Sequence, residues 1–239
     1  AEVTEKKKMV HLIDWANPME NDFQIAEEVT IQGESDRRPD LVVYVNGIAL
    51  AVIELKRSTV SAHEGIRQNI RNQQDGYIPR FFTTIQLLFA GNDTEGLHYG
   101  VIKTPEKFWL RWKEPCGEPC KPSRFTAEEY PNELDRSVLQ FFDPVRLLEY
   151  IHDFIIFDGG IKKAARPNQY FAVKAAQPRI CKKQNGIIWH SQGSGKSLTM
   201  IWLARWIREN VSDARVVIIT DRDELDKQIE SGFKDAGEQ

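Results

Sequence analysis

Arg38-Pro39-Asp40-Leu41-Val42-Val43-Tyr44-Val45-Asn46-Gly47-Ile48-Ala49-Leu50-Ala51-Val52-Ile53-Glu54-Leu55-Lys56 is the stretch that decides the fold. Two β-prone runs, 41–45 and 48–53, flank Asn46-Gly47. That dipeptide favours a two-residue hairpin because both turn positions require positive φ. Both runs are nearly all apolar, which predicts a hairpin buried on both faces. The strand period of two puts Glu54 and Lys56 on one face, with Leu55 on the other. The register sets a condition. In a plain two-residue hairpin Val45 pairs with Ile48 and Asp40 falls opposite Ile53, so Glu54 faces away from Asp40. A site shared by the two acids therefore requires a one-residue bulge, or a bend near Pro39, which cannot donate to the ladder.

Outward from the hairpin, Ile25, Val29 and Ile31 extend the β reading back to residue 23. Residues 60–76 read as a helix. Ser61 caps it, Glu64 completes a capping box, Ile66 and Ile70 face inward, and Pro79 limits its end. Strands follow at 84–90, ended by Gly91-Asn92-Asp93, and at 98–102. Residues 114–135 are rich in Pro, Glu and Lys and read as an excursion. Residues 139–157 read as one helix, with Val145, Leu148, Ile151 and Ile155 inward, stopped by Gly159-Gly160. From about residue 160 the pattern becomes strand, loop, helix, strand. Ile187-Ile188-Trp189 leads into a glycine-rich loop, a helix runs over 196–210, and Val216-Val217-Ile218-Ile219-Thr220 reads as a buried parallel-type strand.

The bulk numbers limit the classes. The chain has 239 residues, 41% hydrophobic and 28% charged, with a net charge of −3. These are globular values with room for two domains. The charge argues against a uniformly basic nucleic-acid binder but leaves space for a local basic groove. No apolar run has the length of a membrane span, and no apolar signal core follows Ala1–Lys8. These features predict a cytoplasmic protein. Three cysteines do not make a disulfide framework. Cys116 and Cys120 lack the second pair a zinc knuckle needs and read as loop thiols.

Two constellations carry chemistry. Asp40 and Glu54 can hold Mg²⁺ through oxygen ligands, and the metal then polarises a phosphodiester and acidifies a water. Lys56 can orient that water or stabilise developing charge. On Glu54-Leu55-Lys56 alone, ordinary strand-end charges would be the better reading. The doubly buried strand, the Pro39-Asp40 pair on its partner and the glutamine-bearing helix that follows shift it towards a nuclease. The second constellation is His190-Ser191-Gln192-Gly193-Ser194-Gly195-Lys196-Ser197. It is a phosphate-binding loop with histidine at the usual first glycine, placed between an apolar run and a helix. Backbone N–H groups of Gly193, Ser194 and Gly195 and the helix N-terminus suit phosphates. Lys196 suits the β- and γ-phosphates of ATP, and Ser197 its Mg²⁺.

The first set resembles the PD-(D/E)xK nucleases. The longer string from Arg38 to Lys56 resembles the R subunits of type I restriction enzymes. In those subunits a Gln-x-x-x-Tyr motif follows on the next helix. Gln73-Gln74-Asp75-Gly76-Tyr77 fits its letters, whereas Gln68 stands nearer the lysine but has Asn72 in the tyrosine position. The resemblance leaves Gln68 or Gln73, with Tyr77, to contact a DNA phosphate or order Lys56. The second set resembles motif I of superfamily 2 helicases. Arg166-Pro167-Asn168-Gln169-Tyr170 resembles the region with the adenine-reading glutamine, a role that falls to Gln169. Residues 220–228 resemble motif Ia, which grips a DNA strand.

The resemblance implies an α/β chain: a PD-(D/E)xK restriction-endonuclease-like domain over 1–135, a connecting helix over 136–160, and the start of a RecA-like P-loop domain over 161–239. It implies a Mg²⁺-dependent endonuclease joined to an ATP-dependent translocase that cuts DNA away from its recognition site. Its partners would be double-stranded DNA and the methyltransferase and specificity subunits. The acidic Mg²⁺-binding box and second half of such a motor are not found here, so the chain reads as an N-terminal piece that binds ATP weakly. The alternatives are a superfamily 2 helicase whose nuclease-like domain only binds DNA, and a P-loop kinase or small-molecule ATPase.

Overall fold

The computed structural model describes residues 10–115, 132–219, 230 and 232–234. Its centre is a six-stranded mixed sheet of β1 (Phe23–Glu27), β2 (Leu41–Val45), β3 (Ile48–Leu55), β4 (Leu87–Asn92), β5 (Gly96–Gly100) and β6 (Leu110–Arg111), in that order. All neighbours are antiparallel except β3 and β4, which run parallel and are joined by helix α1 (Ala62–Asn72). A parallel pair needs such a crossover, and the crossover lays α1 against the sheet. The expected mixed α/β fold is therefore present.

The hairpin forms where Asn46-Gly47 predicts it, with φ of 51° and 77° at the two turn residues. Val45 pairs with Ile48 and Tyr44 with Ala49, but Val43 pairs with Ala51. Leu50 is thus an extra residue on β3, and its carbonyl accepts from the Gln86 N–H at 2.7 Å. Beyond the bulge Leu41 lies opposite Ile53, so the next step along both strands faces Asp40 towards Glu54. Of the two irregularities that would satisfy the register condition, the molecule uses the bulge.

Apolar side chains cover both faces of the sheet. One face packs Val42, Val52, Leu88 and Ala90 under Ile66 of α1. The other packs Val43, Ile53, Phe89 and Tyr99 under α2 (Glu133–Phe141), α3 (Pro144–Asp153) and α4 (Pro167–Cys181). Aromatic rings dominate there. Phe141 lies 4.9 Å from Phe89 and 4.6 Å from Trp112, and Trp112 lies 5.4 Å from Phe171 of α4. Edge and tilted contacts of this kind add to the area each ring buries. Helix α5 (Lys196–Asn210) joins the same core through Ile201 and Trp202.

Several boundaries differ from the sequence reading. Helix α1 ends at Asn72, and the Ser61 hydroxyl accepts from the His63 N–H rather than closing a box with Glu64, which pairs with Arg67. The strand expected at 84–90 is displaced to 87–92, and that at 98–102 to 96–100. The helix expected over 139–157 is two helices and a strand. Asp143 caps a new helix from Val145 N and Arg146 N, and Pro144 occupies its first position, where its missing N–H costs nothing. Val145 is consequently exposed, while Leu148 and Ile151 are buried. Ile155 belongs to β7 (Ile155–Asp158), which pairs with β8 (Ile161–Ala164), and Gly159-Gly160 is their turn.

The larger correction lies beyond residue 182. The strands expected at 187–189 and 216–219 are not formed, and Ile187, Trp189, Val217 and Ile219 stand exposed. A parallel strand is stabilised only when neighbours satisfy its backbone and layers cover both faces, and none of the described residues supplies these here. Cys116, Cys120 and the stretch 220–228 lie outside the described residues. Among those described, no helix is long and apolar enough to cross a membrane.

Candidate functional site

The bulge gathers Asp40, Glu54 and Lys56 at the open end of the β2–β3 hairpin. The Lys56 ammonium lies 3.8 Å from Asp40 Oδ2 and 3.9 Å from Glu54 Oε2. Asp40 is held by the Leu55 N–H, which donates to Oδ2 at 2.6 Å. Glu54 is held by Gln68 of α1, whose Nε2 donates to Oε2 at 2.6 Å. The glutamate side chain is fully buried, while Asp40 is 37% exposed, so the site opens to solvent on the aspartate side.

Burial raises the Glu54 carboxyl to about 8, with the neighbouring Asp40 adding to the rise and Lys56 opposing it. One of its oxygens, Oε1, is buried without a hydrogen-bond partner. A buried acceptor left unpaired costs free energy. A hard cation bound between Asp40 and Glu54 would remove that cost and favour the ionised carboxylate. The donor set fits such an ion: two carboxylates, with room for water or phosphate oxygens on the exposed side. Among the described residues no cluster of three or more acidic, histidine or cysteine side chains is poised as a complete metal cage.

The two glutamine candidates separate. Gln68 is at the site, whereas the Gln73 amide bonds the Asn69 carbonyl at 2.9 Å and the Lys103 N–H at 2.8 Å. Tyr77 stacks under the Arg37 guanidinium at 4.3 Å. Gln73 and Tyr77 are therefore tied to local structure, because α1 ends at Asn72 and carries neither of them. The letters of the motif fit there, but the helix geometry does not. The sequence reading also missed Gly65. A Cβ at Gly65 would stand 3.1 Å from the Glu54 carbonyl and from Ala90 Cβ, so a residue without one lets α1 lie close enough for Gln68 to reach. A glycine inside a helix, where it is unfavourable by itself, was the available signal.

The second site is the loop 190–195 before α5. Gly193 and Gly195 adopt φ of 77° and 82°, the left-handed conformation that favours glycine. Lys196 opens α5, but its ammonium folds back on the carbonyls of His190 at 3.2 Å and Ser191 at 2.9 Å. The Ser194 hydroxyl also donates to the Ser191 carbonyl. Ser197 follows in the first turn, half-buried. Gln169 is buried with both ends of its amide engaged: Oε1 accepts from Arg166 N at 2.7 Å, and Nε2 donates to the Gly195 carbonyl at 2.8 Å. It brackets the loop in this conformation. Arg166, which the sequence reading gave no role, bonds the Gly193 carbonyl at 3.3 Å. With Asn168, Trp189 and residues 190–194 it lines an open cleft of about 450 Å³.

Comparison with known proteins follows the same division. Residues 1–107 match the family described as type I restriction enzyme R protein N terminus, and residues 168–239 match that described as SWI2/SNF2 ATPase. The chain is 29% identical, over 95% of its length, to the putative type I restriction enzyme MjaIXP endonuclease subunit of Methanocaldococcus jannaschii, covering 24% of that protein. It is 28% identical, over 96% of its length, to the type I restriction enzyme HindI endonuclease subunit of Haemophilus influenzae, covering 23%. It is similar at 28% identity to the SsaAORF53P endonuclease subunit of Staphylococcus saprophyticus, over 96% of its own length and 24% of that protein. The chain thus spans about a quarter of the length of the curated relatives it matches. The resemblance to the R subunits of type I restriction enzymes is borne out.

Proposed function

We propose that this chain, a relative of the endonuclease subunits of type I restriction enzymes, carries a Mg²⁺-dependent DNA-cleavage centre at Asp40, Glu54 and Lys56. We further propose that it carries the phosphate-binding loop of an ATP-driven, RecA-like motor at 190–197. The observation that carries the first reading is the Leu50 bulge, since without it Asp40 and Glu54 would face opposite sides of the hairpin. A bulge costs ladder bonds, and this one shifts the parity of the strands so that two acids beyond it come to one side, which supports a site rather than an ordinary strand end.

Asp40 and Glu54 would hold the ion. Mg²⁺ bound there would supply Lewis-acid polarisation of the phosphate and a more acidic water. Gln68 keeps Glu54 in one orientation, so the carboxylate meets the ion without reorganising. Lys56, shared by both carboxylates in the metal-free site, is positioned to orient the attacking water or to donate to the developing oxyanion. In the second site, Lys196 would leave the His190 and Ser191 carbonyls for the β- and γ-phosphates of ATP, and Ser197 would hold the nucleotide's Mg²⁺. Gln169 and Arg166 hold the loop until it fills. The partners in this reading are double-stranded DNA and the methyltransferase and specificity subunits, with the complex in the cytoplasm. Cleavage would then fall away from the recognition site, because the motor moves the DNA before the nuclease cuts it.

The test separates the two centres in the full-length protein. Lys56→Ala abolishes Mg²⁺-dependent cutting, a loss on the order of 10³-fold, and leaves ATP hydrolysis intact. Lys196→Ala removes hydrolysis and, with it, cutting at distant positions. A Lys56→Ala protein that cuts at the wild-type rate would overturn the cleavage assignment. A helicase whose nuclease-like domain only binds DNA would instead show no Mg²⁺-dependent cutting even in the wild type.

A further inference from the structure

Gln68 spends an amide N–H on Glu54 and Gln73 is tied to Asn69 and the 101–104 turn, and neither carries the positive charge that a DNA phosphate favours. We infer that Arg71 supplies it: its guanidinium binds a non-bridging oxygen of the scissile phosphate, on the solvent side of the Asp40–Glu54–Lys56 centre. This inference rests on the cleavage reading above and adds to it the group that meets the substrate from α1.

The geometry of α1 supports the placement. The helix touches β3 at Gly65, where a Cβ would come within 3.1 Å of the Glu54 carbonyl and 3.4 Å of Glu54 Cβ. Three residues on, Gln68 reaches the Glu54 carboxylate. Three further on, Arg71 continues the same stripe, since residues three and four apart are neighbours on one helix face. The three-residue step rises about 4.5 Å, and helical side chains lean towards the N-terminus. An arginine side chain is longer than that rise, so Arg71 has the reach to come back over Gln68 towards the glutamate. Its positive charge is felt at Glu54, where it opposes the upward shift of the carboxyl.

Arg71 is also uncommitted. It is exposed, and among the described residues its guanidinium has no hydrogen-bond or ion-pair partner. Of the other arginines nearby, Arg37 stacks on Tyr77, Arg38 pairs with Glu28 at 3.4 Å and Arg67 pairs with Glu64 and Glu106, while Arg57 lies beyond Lys56 on the β3 side rather than on α1. The chemistry also asks for this group. Lys56 is shared between two carboxylates, and a metal on Asp40 and Glu54 would neutralise one side of the phosphate. The oxygens on the other side gain charge as water adds to phosphorus, and a planar guanidinium fork meets two such oxygens at once.

The experiment uses the full-length subunit, assembled with its methyltransferase and specificity subunits, as wild type, Arg71→Ala, Arg71→Lys and Lys56→Ala. It reads single-turnover cleavage of duplex DNA in Mg²⁺ and ATP, duplex binding against salt concentration, and thermal unfolding. Arg71→Ala is expected to slow cleavage on the order of 10²-fold and to lower the salt slope of binding by about one. Its unfolding temperature stays unchanged, and Arg71→Lys falls between it and the wild type. Wild-type cleavage by Arg71→Ala, with Lys56→Ala dead, would overturn the inference and leave the cleavage centre standing. A cleavage loss matched by lost thermal stability would overturn it too, as a structural effect. Absence of Mg²⁺-dependent cutting by the wild type would overturn the centre itself and the inference with it.

Discussion

The runs Val52-Ile53 in β3 and Ile187-Ile188 before the glycine loop are made of the same kinds of residue, yet the first pair is buried and the second is exposed. The difference lies in what surrounds them. β3 has β2 on one edge and β4 on the other, with α1 and the aromatic layer on its two faces. Residues 187–189 have no strand beside them among those described. An apolar β-branched run states a preference, and a strand forms where neighbours accept its backbone bonds. The two chemical sites inherit this contrast. The Asp40–Glu54–Lys56 centre is a tertiary object, assembled from two strands, a bulge and a helix. The phosphate loop is mainly a local one, shaped by two left-handed glycines and braced by Gln169 and Arg166.

Mutations test that contrast in order of size. Phe89→Ala, in the centre of the buried sheet, is expected to cost about 3–5 kcal/mol in denaturant unfolding. A cost under about 1 kcal/mol would mean that the sheet core is not what stabilises the chain.

Next comes the pH dependence of the metal-free protein. The Glu54 carboxyl is raised from an ordinary value to about 8 by its burial. Between the ordinary carboxyl range and pH 8 the folded state therefore holds a proton that the unfolded state has lost. Stability accordingly falls as pH rises through that window, at about 1 kcal/mol per pH unit. Glu54→Gln flattens the slope, and an unchanged slope in that variant would assign the effect to other groups. Gly65→Ala sharpens the tertiary side of the comparison. The added methyl presses on Ala90 and on the Glu54 backbone, while alanine favours the helix by about 1 kcal/mol, so net stability shifts by about 1 kcal/mol. The expected signature is a cleavage defect larger than the stability change, because Gln68 is lifted from Glu54. The smallest effect belongs to the other region: Trp189→Ala, at an exposed position, changes the stability of this chain by less than about 0.5 kcal/mol.

The hairpin, its turn and even its need for an irregularity were legible, because Asn46-Gly47 sets a register and two acids with one metal set a parity. The position of the irregularity, at Leu50, was not legible, since it depends on the Gln86 N–H, just before β4, arriving to take the extra carbonyl. The break at Asp143-Pro144 was written in the sequence as a cap and a first-position proline, but the apolar spacing across it imitated one helix. The choice between Gln68 and Gln73 could not be made from letters, because it turns on where α1 ends and how closely Gly65 lets it approach. The strands expected at 187–189 and 216–219 show the reverse limit: strand preference is read from the run itself, but strand formation depends on chain elsewhere.

The most direct test of the central claim is calorimetric titration of Mg²⁺ into the nucleotide-free protein at pH 7, repeated in buffers of different ionisation heat. If Asp40 and Glu54 hold the ion, binding must ionise the buried glutamate, and about one proton should leave per metal bound. Binding should be lost in Asp40→Asn, and the proton release should vanish in Glu54→Gln. Saturable Mg²⁺ binding that survives Asp40→Asn, or that proceeds without proton release, would contradict the account.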